Sequence, residues 1–405
     1  MRGCVTASID WRVSMQLSQR LDDLRESGLL RQARTMRPSA NGWCEVDGQL
    51  LRNFASNDYL DLAHDERVIA AAREALDEYG VGARASALVC GRSEWHARLE
   101  RRLAEFEGTQ DAILFPTGYA ANVGTLSALI EPSDTVFCDR FNHASLIDGM
   151  RLSRARLRVY RHDRLDTLRR ELMAGKTTGH KWIVTDTVFS MDGDLAPLTE
   201  ICDLADQSGA DVIVDEAHAT GVFGPSGRGV CELTSTEDRV AVRIGTLSKA
   251  VGTQGGFVAG SSELIAWLRN SARTQVYSTA LPPAICAAAV RSLELIQSEP
   301  ERRTRLFQLS DLLRAELRRF DLNVLEQSHG PVIPLVLGDP DEAVQAARLV
   351  EQQRFLVAGI RPPTVPQGTS RLRISVTAAF NEQDIRALAV AITRAVSELT
   401  MQEKT

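Results

Sequence analysis

Aromatic residues are scarce in this 405-residue sequence, only 5% of it, and no apolar run is long enough to span a bilayer. A membrane-spanning role is therefore not expected. The first residues, "MRGCVTASIDWRVSM", lack an unbroken apolar core because Asp10 and Arg12 interrupt it, so no secretory leader is expected. Residues 1–14 read as a loose extension, with Met15 as an alternative start. Cysteines are few and scattered: Cys4, Cys44, Cys90, Cys138, Cys202, Cys231 and Cys286, an odd number without a C-x-x-C pair. That pattern excludes a disulfide framework and a zinc site and points to the reducing cytoplasm. Neither sign of charge dominates: 47 Lys+Arg against 53 Asp+Glu gives −6. Nothing here suggests a nucleic-acid or polybasic membrane surface, so any anionic ligand needs a local site. Repeats and low-complexity segments are absent too.

What remains is an ordinary globular composition, 44% hydrophobic and 25% charged, with enough chain for two or three domains around a sizeable core. "MQLSQRLDDLRESGLLRQ" has helical spacing, and "CEVDGQLLRNFAS" alternates like a hairpin around Asp47-Gly48. From about residue 65, helical stretches alternate with apolar strands at 111–115, 134–139, 181–188, 210–217 and 239–246. This predicts a mostly parallel sheet covered on both faces, an α/β fold whose ligands bind beyond the carboxyl ends of the strands. After about residue 295 two helices, short strands and a last amphipathic helix predict a smaller α+β domain. The expected division is 1–60 for the N-terminal helix and hairpin, 61–295 for the large domain and 296–405 for the small one.

"GKTT" (175–178) and "DEAH" (215–218) together hint at a P-loop ATPase. The phosphate loop needs a glycine five residues before Gly175, where Arg170 stands, and must follow a strand rather than precede one. A surface turn is the better reading.

The polar residues ending the predicted strands carry the chemistry. "FPTGYAANVG" follows the first strand and opens a helix, so the backbone N–H groups of Gly118 and Tyr119 can hold a phosphate; a plain strand–turn–helix is the alternative. His143 follows the second strand, and Ser190 sits in a turn after the third; alone, each is unremarkable in a structural role. Asp215 ends an apolar strand, where a carboxylate is costly unless paired, and His218 follows three residues later. "GTLSKAVGTQGG" puts Thr246 and Lys249 in a small-residue loop after the fifth strand. Pyridoxal phosphate asks for all of these: an anion cradle, a group against its ring, a carboxylate keeping its pyridine nitrogen protonated, and a lysine forming a Schiff base with its aldehyde. Desolvation and a nearby cation lower the pKa of such a lysine, so that it serves as nucleophile and base.

From about residue 15 onward the chain also resembles the α-oxoamine synthases, fold-type I pyridoxal-phosphate enzymes that join an amino acid to an acyl-CoA. The motifs include "NFASNDYL", "GARASALVCGRSEWHARLE", "PTGYAAN", "NHASLIDG", "VFSMDGD", "VDEAHATGVFGPSGRG", "GTLSKAVGTQGGFVAG", "YSTALPP" and "IRPPTVPQGTSRLRISVTAA". The resemblance implies a large domain with a mostly parallel seven-stranded sheet between helices and a smaller α+β C-terminal domain. It implies Lys249 as the Schiff-base lysine, Asp215 on the pyridine nitrogen, His218 on the ring hydroxyl and His143 stacked on the ring. Gly118, Tyr119 and Ser190 lie on or near the cofactor, and Thr246 near its phosphate. Ser278 and Thr279 reach that phosphate from the second subunit of a homodimer. Arg373, assisted by Asn57, grips the amino acid's carboxylate, and Arg31 and Thr364 contact substrate. "LLRQARTMRP" and "GIRPPTVPQGTSRLR" are most similar to the biotin-pathway branch. That branch condenses L-alanine with pimeloyl-CoA, or a pimeloyl carrier-protein thioester, to 8-amino-7-oxononanoate, CoA and CO2. Glycine C-acetyltransferase, 5-aminolevulinate synthase and serine acyltransferase chemistry are the alternatives, with a cofactor-binding relative lacking turnover as a further one. Asp61 and Phe380 depart from the commonest family pattern, which has glycine and histidine there.

Overall fold

The computed structural model describes residues 14–31, 33–162, 164–174 and 179–402. The N-terminal extension, apart from the start of the first helix, and the "GKTT" run lie outside the described residues. A seven-stranded sheet forms the body of the fold, in the order β4-β10-β9-β8-β7-β5-β6. Its strands are β4 (Asp111–Phe115), β5 (Thr135–Asp139), β6 (Arg156–Tyr160), β7 (Lys181–Asp186), β8 (Ala210–Asp215), β9 (Val242–Thr246) and β10 (Gly256–Gly260). Only β10 runs antiparallel to its neighbours, pairing β4 and β9. Side chains alternate across the sheet with period two. Ile113, Phe115, Val136, Cys138, Val184, Ile213 and Ile244 fill one face, while Ala112, Leu114, Phe137, Ile183, Val212 and Val214 fill the other. Burial on both faces explains why these strands read as unbroken apolar runs.

The first helix, α1 (Ser14–Glu26), stops before Leu29 and Leu30, and Leu17, Leu21 and Leu24 are exposed rather than packed. The hairpin forms as expected from β2 (Trp43–Val46) and β3 (Gln49–Asn53), with β1 (Met36–Ser39) added beside β2. Its other edge is closed by β12 (Phe355–Leu356), which runs parallel to β3 from far along the chain. Arg52 of β3 ion-pairs with Asp384 and lies over the rings of Trp43 and Phe380. Phe380 is fully buried and stacks on Phe54 at 3.9 Å between centroids. Asp61 adopts φ 55, the left-handed region that glycine enters without a Cβ penalty and Asp tolerates better than most residues. A third sheet, in the order β11-β14-β13, joins β11 (Val332–Gly338), β14 (Ser370–Ser375) and β13 (Ala358–Ile360). The terminal helix Glu382–Gln402 buries Ile385, Leu388 and Ile392.

The carboxyl ends of β5 and β6 and the loop that follows β7 are tied by one histidine. His162 follows β6 and bonds Asp139 Oδ2 at 3.0 Å and Asp194 Oδ2 at 2.5 Å. Burial opposes its charge, but the two carboxylates outweigh that and raise its pKa to about 10. The folded value lies above the unfolded one, so the stabilisation is complete below about pH 6.5 and is lost as pH rises through 10. His162→Gln is expected to cost on the order of 3 kcal/mol at pH 6. In urea melts at several pH values, the gap between parent and variant should close toward pH 10; a constant gap would mean the ring acts only by packing.

Candidate active site

Helix α4 (Gly118–Leu129) starts where β4 ends, capped by the Thr117 hydroxyl accepting from the Ala120 N–H. The cap leaves the N–H groups of Gly118 and Tyr119 without a partner among the described residues. They sit at the positive end of a 12-residue helix. A Cβ on Gly118 would stand 3.2 Å from Thr246 Oγ1, so glycine lets the end of β9 approach this turn. The Tyr119 hydroxyl is engaged by Asp148 at 2.6 Å, and its ring is half exposed.

Asp215, at the end of β8, is 5% exposed. Its Oδ1 accepts from the Ala217 N–H and its Oδ2 from Asn122 Nδ2 at 2.6 Å. The same amide donates to Ser145 Oγ at 2.8 Å. Ser145 therefore turns its own proton to His143 Nδ1, 2.6 Å away, and the Ser145 N–H points to that nitrogen too. With Nδ1 accepting, the proton of a neutral His143 resides on Nε2. Burial, then the nearby Lys249 charge, lowers the His143 pKa against the pull of Asp215, keeping the ring neutral. In the next strand Asp186 lies beside Asp215 in register and accepts from the His143 N–H. Burial and the Asp215 charge push Asp186 well above the usual carboxylate range.

Lys249 follows β9; its carbonyl accepts from the Gly252 N–H at 2.8 Å, while its amine makes no hydrogen bond or ion pair among the described residues. Desolvation lowers its pKa to about 8; Asp215 and Asp186 resist, and Arg373 adds to the lowering. His218 is buried, its pKa depressed first by burial and then by Lys249 and Arg373. His218 Nδ1 meets the Tyr59 hydroxyl at 2.7 Å, and that hydroxyl reaches Asn57 Oδ1 at 3.2 Å. Both Arg373 Nη atoms donate to the same Asn57 oxygen at 3.2 Å, and Arg373 Nε donates to the Ser190 carbonyl at 2.6 Å. One continuous chain of contacts thus links His218, Asn57, Arg373 and Ser190.

Sequence reasoning put Lys249, Asp215, His143, His218, Gly118, Thr246, Asn57, Arg373 and Ser190 near one another, and they cluster at the carboxyl edge of the large sheet. Arg31 and Thr364 meet each other, Nη2 to Oγ1 at 3.1 Å, in a neighbouring cleft. Ser278 and Thr279 lie elsewhere, with Thr279 bridged to Ser86 beside exposed Tyr277 and Val89. Asn122, Ser145, Tyr59 and Asp186 were not singled out. Asn122 could have been noticed, standing one helical turn after Gly118 on the face toward the strand ends. "DEAH" proves to be two separate things. Asp215 and His218 face the site, while Glu216 is buried and accepts from Thr187 Oγ1 and the N–H groups of Val230 and Cys231. A carboxylate so fully engaged is scaffold and not a hydrolytic acid.

The residues fit pyridoxal phosphate: unpartnered amides for a phosphate, an unbonded lysine amine of lowered pKa, and a buried carboxylate facing that lysine. The chain matches the model of the family described as aminotransferase class I and II over residues 51–392. It is 45% identical over 384 residues to the 8-amino-7-oxononanoate synthase of Marinobacter nauticus, covering 95% of this chain and 97% of that one. The enzyme of that name from Anaeromyxobacter sp. is 43% identical, with 98% of each chain covered. Among solved structures, serine palmitoyltransferase from Sphingomonas wittichii superposes with a TM-score of 0.91 at 31% identity, covering 98% of this chain and 100% of that one. The 8-amino-7-oxononanoate synthase of Francisella tularensis gives 0.74 at 28% identity, covering 86% and 99%. This chain belongs to the aminotransferase class I and II family of pyridoxal-phosphate enzymes, on the branch that holds the 8-amino-7-oxononanoate synthases.

Proposed function

We propose that this chain condenses L-alanine with a pimeloyl thioester, carried by CoA or a carrier protein, to give 8-amino-7-oxononanoate, the free thiol and CO2 in biotin biosynthesis. The observation that carries this reading is the meeting of Lys249, Asp215 and Arg373, near enough for the charges of Asp215 and Arg373 to act on the Lys249 amine, in a chain 45% identical to a synthase of that name. Gly118 and Tyr119, by their amides, and Thr246 would hold the cofactor's phosphate, Asp215 its ring nitrogen and His218 its ring hydroxyl. His143 and Ser190 would serve as further contacts to the cofactor. Bound pyridoxal phosphate supplies an aldehyde for amines and a protonated ring that withdraws electrons from Cα.

The guanidinium of Arg373, steadied by Asn57, binds the alanine carboxylate with its planar fork. Lys249 Nζ takes the proton from alanine Cα. As Cα bonds the thioester carbonyl carbon, His143 Nε2–H donates to the carbonyl oxygen, and the C–S bond breaks to release the thiol. Loss of the original alanine carboxylate as CO2 leaves Cα to be reprotonated, and Lys249 Nζ returns the proton it took. A homodimer completes the site in this reading, with Ser278 and Thr279 serving the partner's phosphate. Their exposed apolar neighbours Val81, Val89 and Tyr277, each more than 70% exposed, support such an interface. The six described cysteines are unpaired, which suits the cytoplasm, and no helix among the described residues is long and apolar enough to cross a membrane.

The TM-score of 0.91 favours serine acyltransferase chemistry as the second reading. The two are separated by thiol release from pimeloyl-CoA with L-alanine, glycine or L-serine and cofactor-loaded protein. Release with L-alanine alone is expected. Release with L-serine and a long-chain acyl-CoA, but not with pimeloyl-CoA, would transfer the assignment to the second reading.

A further inference from the structure

Two arginines of one helix are buried with no buried carboxylate to match them. In the helix Glu301–Arg319, Arg303 is 7% exposed and Arg314 6%. We propose that the cavity they line is an effector site for a small organic anion with an apolar body, and that its occupancy tightens the hold of Arg373 on the amino acid. The binding stands apart from the reading given under Proposed function; the effect on the amino acid rests on it.

The cavity holds about 590 Å³, within the range of small-molecule sites. One wall is that helix, on which Arg303, Phe307, Asp311 and Arg314 share a face at three- and four-residue spacing. Val222 and Phe223, in the segment after β8, form the opposite wall. Phe223 and Phe307 meet edge to face, 5.4 Å between centroids, and make an aromatic floor. Arg303 donates from Nη1 to the Ile296 carbonyl and from Nη2 to the Pro225 carbonyl, leaving Nε without a partner among the described residues. Arg314 donates to Ser328 Oγ and to the Gly330 carbonyl. Neutral oxygens engage these donors but do not cancel the charge. Among the described residues no carboxylate lies within ion-pairing distance of Arg303, and the one paired with Arg314, Asp311, has a side chain 73% exposed. Burial pulls the pKa of both guanidiniums down, with Glu232 and Glu301 resisting at Arg303 and Asp311 at Arg314. An anion whose apolar body rests on the two rings would supply the missing countercharge and meet Arg303 Nε.

Residues 328–330 form a third side of the cavity and lead to the candidate active site. Arg314 holds the Gly330 carbonyl, and a Cβ on Gly330 would stand 2.5 Å from the Phe223 ring, so this loop has little slack. The His329 N–H donates to the Gly193 carbonyl at 2.6 Å, and the Gly193 N–H to the Phe189 carbonyl at 2.7 Å. The turn so closed presents the Ser190 carbonyl to Arg373 Nε. An anion filling the cavity favours the arrangement in which all these contacts are made, and with it the present position of Arg373. Linkage makes the effect mutual, so the amino acid tightens the anion by the same factor.

The probe is anilinonaphthalene sulfonate, an anion on an aromatic body, titrated by fluorescence into cofactor-loaded protein, with uncharged N-phenylnaphthylamine as its match. The parent is expected to bind the anion saturably. Arg303→Met is expected to weaken it by about tenfold or more while the neutral dye changes little. Thr304→Glu, at the exposed rim, leaves the buried arginines untouched and is expected to weaken the anion too; it decides alone if Arg303→Met does not fold. Saturating L-alanine is expected to tighten the anion about fivefold in the parent. Equal anion affinity in the parent and the folded variants overturns the site. Displacement of the anion by pimeloyl-CoA also overturns it, because the dye then occupies the donor's place. Affinity that ignores L-alanine, in protein that turns L-alanine over, overturns the effector role. Protein that turns over no L-alanine brings down the proposed function and leaves the dye titration to decide the binding.

Discussion

Lys249→Ala is expected to lose turnover by at least about a thousandfold while the protein still takes up pyridoxal phosphate. The size follows from two losses at one atom. The amine is the base for the Cα proton, and a well-placed base is worth about 10²–10⁴-fold. It is also the group that bonds the cofactor's aldehyde. The rest of the cradle does not depend on it: the Gly118 and Tyr119 amides, Thr246 and Asp215 are positioned by strand ends and by the Thr117 cap. Borohydride reduction followed by peptide mapping should tag Lys249 in the parent and no residue in the variant. A tag on another lysine, or turnover within tenfold of the parent, would remove Lys249 from the mechanism. Its lowered pKa, about 8, comes from burial and adds a second mark. In the cofactor-free protein this amine should react with an acylating reagent near pH 8 well before ordinary surface lysines do.

The second large effect is at Asp215. Asp215→Asn is expected to reduce turnover by at least about a hundredfold, since an amide cannot hold a proton on the cofactor's ring nitrogen. Folding should not suffer. The variant removes one of two adjacent buried carboxylates, and the charge that pushes Asp186 well above its ordinary range goes with it. Thermal unfolding at or above the parent's midpoint, together with lost turnover, is the expected pair of results. Near-normal turnover would end the electron-sink argument for this site. Comparable loss of stability and turnover would make Asp215 a structural residue.

How far the site could be read from the chain varies with the residue. Asp215 and Thr246 were visible because each ends a buried apolar strand, where a polar group must have a reason to be, and Lys249 because it stands among small residues in the loop just after one. Asn122 and Tyr59 carried no comparable signal: their partners lie 93 and 159 residues away and meet them only in the fold. Five of the seven large-sheet strands stood out as apolar runs. The edge strand β6, "RLRVY", did not, since only its last residue is buried and arginines break its pattern. β10, "GFVAG", is short and flanked by glycines, and its antiparallel direction departs from the helix–strand alternation. The α1 leucines show the converse. Their spacing is helical, but periodicity says nothing about what a helix packs against, and here the stripe faces outward.

The closing of β3 by β12 has a consequence for how the chain is made. Roughly 300 residues separate the two strands, which at ~5–20 residues per second is about 15–60 s of synthesis. Throughout that interval the hairpin emerges with one edge unpaired, and Phe54 waits for Phe380. The amino-acid carboxylate site obeys the same clock, because Asn57 and Arg373 are 316 residues apart. A nascent chain released early would therefore hold a nearly finished large sheet, with the cofactor's lysine in place, and no means of gripping an amino acid. Completion of the last quarter of the chain makes the molecule selective at the same moment that it seals its open edge.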